Sequence, residues 1–337
     1  REGVPVLLGS ATPSLESLHN VWSGRYTRLV LPERAAGAGE AALAVVDLKR
    51  RRMRHGLSEP LLAAVASRLA LGEQTLLFLN RRGYAPTLLC HDCGWAAACT
   101  RCDARMTLHR RAGLLRCHHC GAETPVPALC PACRSEDLRP VGAGTERVET
   151  ALGEAFPAAR LARIDRDTVR RKGALESALR RVSAGEADVL IGTQMLAKGH
   201  HFPNVTLVGV IDADGGLFSA DFRAGEHLAQ RILQVAGRAG RGERPGEVLI
   251  QTHHPEHPLL RSLLEEGYEA FAARALEERR EAGLPPFAPA ALLRAEAADA
   301  VSALSFLDEA RALLPTGPEA GGVQAMGPAP SPMERRA

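Results

Sequence analysis

Eight cysteines, all lying between Cys90 and Cys133, constrain this chain more than any other feature. They form four C-x-x-C pairs: Cys90 with Cys93, Cys99 with Cys102, Cys117 with Cys120, and Cys130 with Cys133. A C-x-x-C turn points two thiolates at one tetrahedral metal, so two turns complete a site and four turns make two sites. A disulfide framework is the competing reading, but no secretory context supports it. A redox C-x-x-C stands singly in a thioredoxin-like unit. The expectation is therefore two Zn²⁺ ions, structural rather than catalytic, because all eight thiolates are used and both sites are closed. Four pairs can combine in three ways. The span from Cys102 to Cys117 resembles zinc-ribbon spacing, which favours an inner site of Cys99, Cys102, Cys117 and Cys120. That site nests inside an outer one of Cys90, Cys93, Cys130 and Cys133. The block carries little aliphatic bulk, so metal binding must supply its folding energy.

Around this block the chain alternates strands and helices. A helix at Pro60–Leu71 leads to a strand at Thr75–Asn80. A helix near Thr145–Phe156 precedes a strand at Arg160–Ile164, and a helix at Gly173–Ser183 precedes one at Asp188–Gly192. A further strand covers Thr206–Ile211, and a helix around Gly225–Ala236 is followed by a strand at Glu247–Thr252. Near-continuous Val/Leu/Ile strands with helices between them predict a parallel sheet covered on both faces. Ligands of such sheets bind beyond the carboxyl ends of the strands. The cysteine block follows the first of these strands and is an insertion. Hydrophobic residues at 45% and charged residues at 24% suit a globular protein with a sizeable core. A net charge of +3 names no partner. No apolar run approaches a membrane span, and no signal peptide is visible. The chain opens on Arg1 with Val4 to Leu8 reading as a strand under way, and closes on Pro330 to Ala337, which caps nothing. That pattern reads as a fragment cut at both ends.

Polar clusters sit at the strand ends. Asn80-Arg81-Arg82-Gly83 follows one strand, Gly192 to Gly199 follows another, and Gln234 to Gly242 ends a helix. In the last cluster Arg238 and Arg241 are flanked by glycines, which suits bidentate phosphate recognition. Asp212 and Asp214 follow a strand and suit hydrogen bonding between motifs. His200 and His201 read as loop structure, since the cysteines already satisfy two metals. Trp95 and His91 are read as packing against the zinc knuckle, with base stacking as the other possibility. The run Lys49-Arg50-Arg51-Arg52-Met53-Arg54 fits a solvated linker and a DNA contact equally well.

These clusters resemble known motifs. Gln234–Gly242 looks like motif VI of superfamily 2 helicases, Gly192–Gly199 like motif V, and Gly9-Ser10-Ala11-Thr12-Pro13 like motif III, in the right order. The longer strings Leu79 to Pro86, Cys90 to Trp95, Arg163 to Thr168 and Ile191 to Pro203 narrow the likeness to the PriA family of replication-restart helicases. The likeness covers most of residues 1–290. The family also supports the nested zinc pairing.

The resemblance implies an ATP-driven 3′–5′ DNA helicase with two RecA-like lobes, ATP and Mg²⁺ bound between them. This chain has no G-x-x-x-x-G-K-[ST] and no D-E-x-H at a strand end. The implied organisation is a tail of the first lobe at residues 1–32 and a basic interlobe linker at 33–56. A second, P-loop NTPase-like lobe covers 57–255, with the two-zinc, all-cysteine insertion at 88–140. A helical appendage spans 256–290, and a truncated start of a C-terminal domain spans 291–337. By the same resemblance Arg238, Arg241 and Gln234 serve the nucleotide, with Gly237, Ser10 and Thr12 beside it. Thr193, Gln194, Lys198, Arg81 and Arg82 meet DNA. Forked and single-stranded DNA, primosome proteins and single-stranded DNA-binding protein are the implied partners. The bacterial cytoplasm, at the nucleoid, is the implied location. The alternative is a stand-alone zinc-dependent DNA- or protein-binding module without motor activity.

Overall fold

The computed structural model describes residues 4–31, 41–80, 87–102, 104–109, 112–140, 144–165, 168–169, 171, 173–197, 202, 204–219, 221–240, 244–314, 323 and 325–328. Along the chain, helix α1 (Leu15–Trp22) precedes strand β1 (Ala42–Asp47) and a small hairpin, β2 (Met53–Arg54) with β3 (Leu57–Ser58). Helix α2 (Glu59–Ala70) leads into β4 (Gln74–Phe78). The cysteine block holds β5 (Leu88–Cys90), β6 (Thr107–His109), β7 (Leu114–Arg116), β8 (Glu123–Pro125) and β9 (Leu138–Pro140). Then come α3 (Thr145–Ala155), β10 (Leu161–Ile164), α4 (Ala174–Ser183), β11 (Val189–Gly192) and the short α5 (Gln194–Ala197). The remainder is β12 (Val205–Val210), α6 (Asp214–Leu217), α7 (Ala224–Ala236), β13 (Glu247–Thr252), α8 (Pro258–Arg261), a π-helical turn at Ser262–Glu266, α9 (Tyr268–Glu281) and α10 (Ala300–Ala312).

Six strands form one parallel sheet in the order β1-β13-β12-β4-β11-β10. Burial follows position in the sheet. Every residue of β4, β11 and β12 is buried, because central parallel strands are covered on both faces. Side chains alternate between the faces. Leu77, Leu79, Val189 and Ile191 pack against α2 and α3. Leu76, Phe78, Leu190, Val208 and Ile250 pack against α4, α7 and α9. The result is a three-layer α/β lobe with the cysteine block inserted between β4 and α3. Among the described residues, no helix is long and apolar enough to cross a membrane.

Three expectations change. Val4 to Leu8 form no strand and are exposed. The stretch read as an interlobe linker contains β1, which pairs with β13 from Ala42 opposite Glu247 to Asp47 opposite Thr252. As an edge strand, β1 has an alternating half-exposed pattern, and its apolar run from Leu43 to Val46 is short. The segment read as an appendage belongs to the core: Leu260, Leu263, Phe271, Ala272 and Leu276 are buried in the same cluster as the sheet. Leu15 and Leu18 of α1 join that cluster, so the amino-terminal stretch also docks on the lobe.

Candidate functional site

The four C-x-x-C turns share one backbone design. In each, the amide of the first cysteine bonds the carbonyl five residues on: Cys90 to Trp95 at 2.7 Å, Cys99 to Ala104 at 2.8 Å, Cys117 to Ala122 at 2.8 Å, Cys130 to Ser135 at 2.7 Å. In three of them the residue after the second cysteine is left-handed and donates its amide back to the first cysteine's carbonyl: Gly94, Gly121 and Arg134, each at 2.9 Å. Backbone amides also reach sulfur, Trp95 to Cys93 and Arg101 to Cys99, each at 3.4 Å.

The turns pair as nested sets, Cys90, Cys93, Cys130 and Cys133 in one and Cys99, Cys102, Cys117 and Cys120 in the other, with all sulfurs of a set within 4.8 Å. Sulfur–sulfur distances of 3.6 Å (Cys90–Cys133), 3.7 Å (Cys93–Cys130), 3.6 Å (Cys99–Cys120) and 3.5 Å (Cys102–Cys117) are far too long for disulfides. They approach the roughly 3.8 Å that a tetrahedron with Zn–S of about 2.3 Å requires. Each set divides: burial and neighbouring sulfurs push Cys93 and Cys102 up to about 12, while backbone amides and neighbouring sulfurs hold Cys130 and Cys120 down at about 7, and a bound metal would need all four thiols of a set deprotonated. The donor set therefore fits two structural zinc ions. The antiparallel pair β5–β9 closes the neck of the insertion at the outer set, and the β6-β7-β8 sheet lies by the inner one. The block does bury a small cluster of its own, contrary to expectation, built partly from the cysteines. The module's cluster is Leu88, Ala97, Met106 and Leu115 with two of the cysteines, and Trp95 packs against it.

Along α7 and at the strand ends the structure brings several predicted residues together. Thr12 is buried, and its amide donates to the Ser10 hydroxyl at 3.1 Å. From α7, Gln230 donates to the Thr12 carbonyl at 3.3 Å, and Gln234 reaches the Thr12 hydroxyl at 3.5 Å. Tyr268 donates to the Pro13 carbonyl at 2.6 Å. Beneath this contact lies Glu226, buried, which accepts from the Leu15 amide at 3.1 Å and from Arg279 at 2.8 Å. Arg238 is buried two residues beyond the end of α7, after the exposed Gly237. Arg231 donates to Asn80, at the end of β4. Thr193 follows β11 and accepts the Leu196 amide at 3.0 Å, which opens α5. Gly192 before it leaves no room for a side chain, since a Cβ would meet Leu196 at 2.5 Å and the Ile164 carbonyl at 2.6 Å. Gln194 lies in α5. Arg81, Arg82, Lys198, His200, His201 and Arg241 lie outside the described residues.

A second network joins the insertion to the lobe. Asp214 accepts from the Thr252 hydroxyl, from the His253 amide at 3.0 Å, and pairs with His253 Nδ1 at 2.6 Å. His253 Nε2 meets His91 Nδ1 at 2.8 Å, and His91 Nε2 meets the Arg51 carbonyl at 2.8 Å. His91 is thus packed between lobe and knuckle, as expected, and is buried. Asp212 accepts from the Gly215 amide at 2.9 Å, and desolvation pushes its carboxyl up to about 7. Glu226, Gln230, Arg231 and His253 carried no motif signal. Their partners lie far along the chain, so only the fold reveals their roles.

Comparison with known proteins agrees with this geometry. A family model described as the PriA DNA helicase Cys-rich region domain matches residues 99–125, the stretch holding the inner cysteine set. One described as the helicase conserved C-terminal domain matches residues 145–243. The replication restart protein PriA of Haemophilus influenzae is 50% identical over 334 residues, 99% of this chain and 46% of that protein. That of Bacillus subtilis is 46% identical over 287 residues, 84% of this chain and 36% of that protein. That of Synechocystis sp. is 40% identical over 352 residues, 99% of this chain and 41% of that protein. The chain spans less than half the length of these relatives.

Proposed function

Because the chain belongs to the PriA family of replication restart proteins, we propose that it supplies the second motor lobe and two structural zinc sites of an ATP-dependent 3′–5′ DNA helicase acting in replication restart and primosome assembly at stalled forks. One contact supports this most. The amides of Gln230 and Gln234 reach Thr12, so the motif III-like segment is docked on the helix that ends in the motif VI-like arginines. A contact of that kind couples nucleotide state in one lobe to the other. In this reading Arg238 and Arg241 stabilise negative charge developing on the transferred phosphate, an effect of roughly 10³–10⁵ in rate. Gln234, Ser10 and Thr12 report nucleotide state, and the exposed Gly237 lets the chain turn close to the phosphates. Thr193, Gln194, Lys198, Arg81 and Arg82 hold the DNA backbone. The phosphate-cradling loop and the Mg²⁺-holding carboxylates, for which this chain has no matching motif, are assigned to the partnering lobe. The partners are forked and single-stranded DNA, primosome proteins and single-stranded DNA-binding protein, met in the bacterial cytoplasm at the nucleoid.

The test fuses this chain behind the residues that precede its matching stretch in the Haemophilus influenzae relative. The fusion is expected to hydrolyse ATP when DNA is added. Arg238→Ala should abolish that hydrolysis and leave DNA affinity nearly unchanged, because the guanidinium acts on charge that develops only in the transition state. Equal loss of DNA binding and hydrolysis would make Arg238 a backbone contact and overturn its assignment. A fusion that binds DNA without hydrolysing ATP would favour the stand-alone binding module.

A further inference from the structure

Beside the outer zinc site lies a cleft of about 810 Å³. One wall is the arginine run Arg50, Arg51, Arg52 and Arg54, with Glu59 at the start of α2; the other is the zinc module's Asp92, Asp137 and Arg139, so five arginines face three carboxylates. The run is not a loose linker. On the module side, the Arg50 amide donates to the His91 carbonyl at 3.1 Å and His91 Nε2 bonds the Arg51 carbonyl at 2.8 Å. On the sheet side, the β2–β3 hairpin turns through His55 and Gly56, both left-handed, and is clamped by Gln251 of β13. The Ser58 amide donates to Gln251 Oε1 at 2.9 Å, and Gln251 Nε2 donates to the Gly56 carbonyl at 2.7 Å. Gln251 is fully buried, so the hairpin is fixed to the core.

This scaffold holds an uncommitted charge. Lys49 is paired with Glu256 at 2.9 Å, Arg139 with Asp137 at 2.5 Å, and Arg51 Nε donates to the Asp47 carbonyl at 2.6 Å. Among the described residues, Arg50, Arg52 and Arg54 are exposed and make no ion pair. Arg50 even keeps a left-handed backbone, with φ of 58°, which is unfavourable for an L-residue. Three free guanidiniums on a backbone pinned at both ends form a preorganised anion-binding wall.

We propose that this cleft is a binding site for the phosphate backbone of single-stranded DNA, distinct from the strand-end residues assigned above. The proposal rests on the helicase reading and extends the path of the DNA to the zinc module. The one aromatic ring in the lining, His91, is buried with both ring nitrogens bonded, to His253 and to the Arg51 carbonyl, so it offers no face for base stacking; contact is to phosphates and is indifferent to sequence. An acidic peptide would find the same charges and the half-buried Met53 and Leu62 beside them, so the test below separates it from DNA. The second wall belongs to the zinc module, so the cleft also gives the outer zinc a role: it sets the width of a DNA site.

The test measures binding of a fluorescent single-stranded oligonucleotide to the zinc-loaded chain across a salt series. Each phosphate contact on a single strand contributes about 0.7 to the slope of log affinity against log salt. The double variant Arg52→Gln/Arg54→Gln should therefore flatten the slope by about 1.4 and weaken binding on the order of tenfold at low salt. A charge-matched control, Arg147→Gln/Arg180→Gln on the exposed faces of α3 and α4, should leave both nearly unchanged. Zinc content confirms that each variant is folded. An unchanged slope in the cleft variant, or an equal loss in the control, overturns the site while leaving the helicase reading standing. So does loss of binding to a polyglutamate probe with DNA binding intact, which would make the occupant an acidic peptide. Wild-type chain that fails to bind the oligonucleotide at any salt overturns the cleft together with the DNA contacts assigned to this lobe.

Discussion

Asp212 follows β12 at the sheet's carboxyl edge, half-buried, with Asp214 two residues on. Desolvation raises its pKa from 3.8 to about 7, so between those values the folded protein holds a proton that the unfolded chain has released. Linkage then makes stability fall as pH rises through that window, because there the native state binds more protons than the unfolded one. Asp212→Asn has no proton to lose and keeps an oxygen for the Gly215 amide. The stability difference between variant and wild type, measured by urea denaturation, should therefore grow in the variant's favour from about pH 4 to about pH 7. Zinc release at low pH affects both proteins alike and cancels in the difference. Parallel stability curves would show that Asp212 ionises normally.

The knuckle is the element that repeats. Gly94 and Gly121 occupy the same left-handed position in two turns, at φ of 82° and 77°, so alanine at either pays the left-handed cost. Their surroundings differ. A Cβ on Gly94 would sit 3.1 Å from the His254 ring and 3.2 Å from the His253 carbonyl, whereas one on Gly121 would meet only the Pro328 carbonyl at 3.8 Å. Gly94→Ala should thus be the more damaging, by about 1–3 kcal/mol of added overpacking, and should disturb the seat of the module on the lobe. Thermal melts of the two variants side by side check this. Equal melting temperatures would mean that the outer knuckle does not press on the end of β13. The fit of these turns was legible in the sequence because a C-x-x-C bite is local. That Gly94 also faces two histidines just beyond β13, some 160 residues later, was not.

For the whole molecule, two metal ions and a large apolar core divide the work of holding the fold. The purified chain should carry two zinc ions, and X-ray absorption should show sulfur ligands only. Removing zinc with a chelator should unfold the insertion, whose small cluster is built partly from cysteines, and expose Trp95. The far-UV helical signal should persist, because α2, α3, α4, α7 and α9 pack on a sheet that needs no metal. Complete loss of helix on chelation would mean that insertion and lobe fold as one unit. Cys99→Ser should leave one zinc in the outer set.

The sequence by itself determined the parts whose signals are short-range. These are the metal-binding turns, the buried central strands as continuous apolar runs, and the Glu247–Thr252 strand to the residue. It also carried the motifs that spell the helicase lobe. The nested cysteine pairing followed from spacing and from family likeness. Only the tertiary structure decided which segments complete the core. β1 became an edge strand by pairing with β13, about 200 residues later, and α9 joined the core by covering the sheet rather than projecting from it. The same holds for the basic run. Its composition fits a solvated linker as well as a binding wall, and what distinguishes them is two clamps, His91 and Gln251, brought by distant elements. Charge is a local property of a sequence, but preorganisation of charge is a property of what the fold places around it.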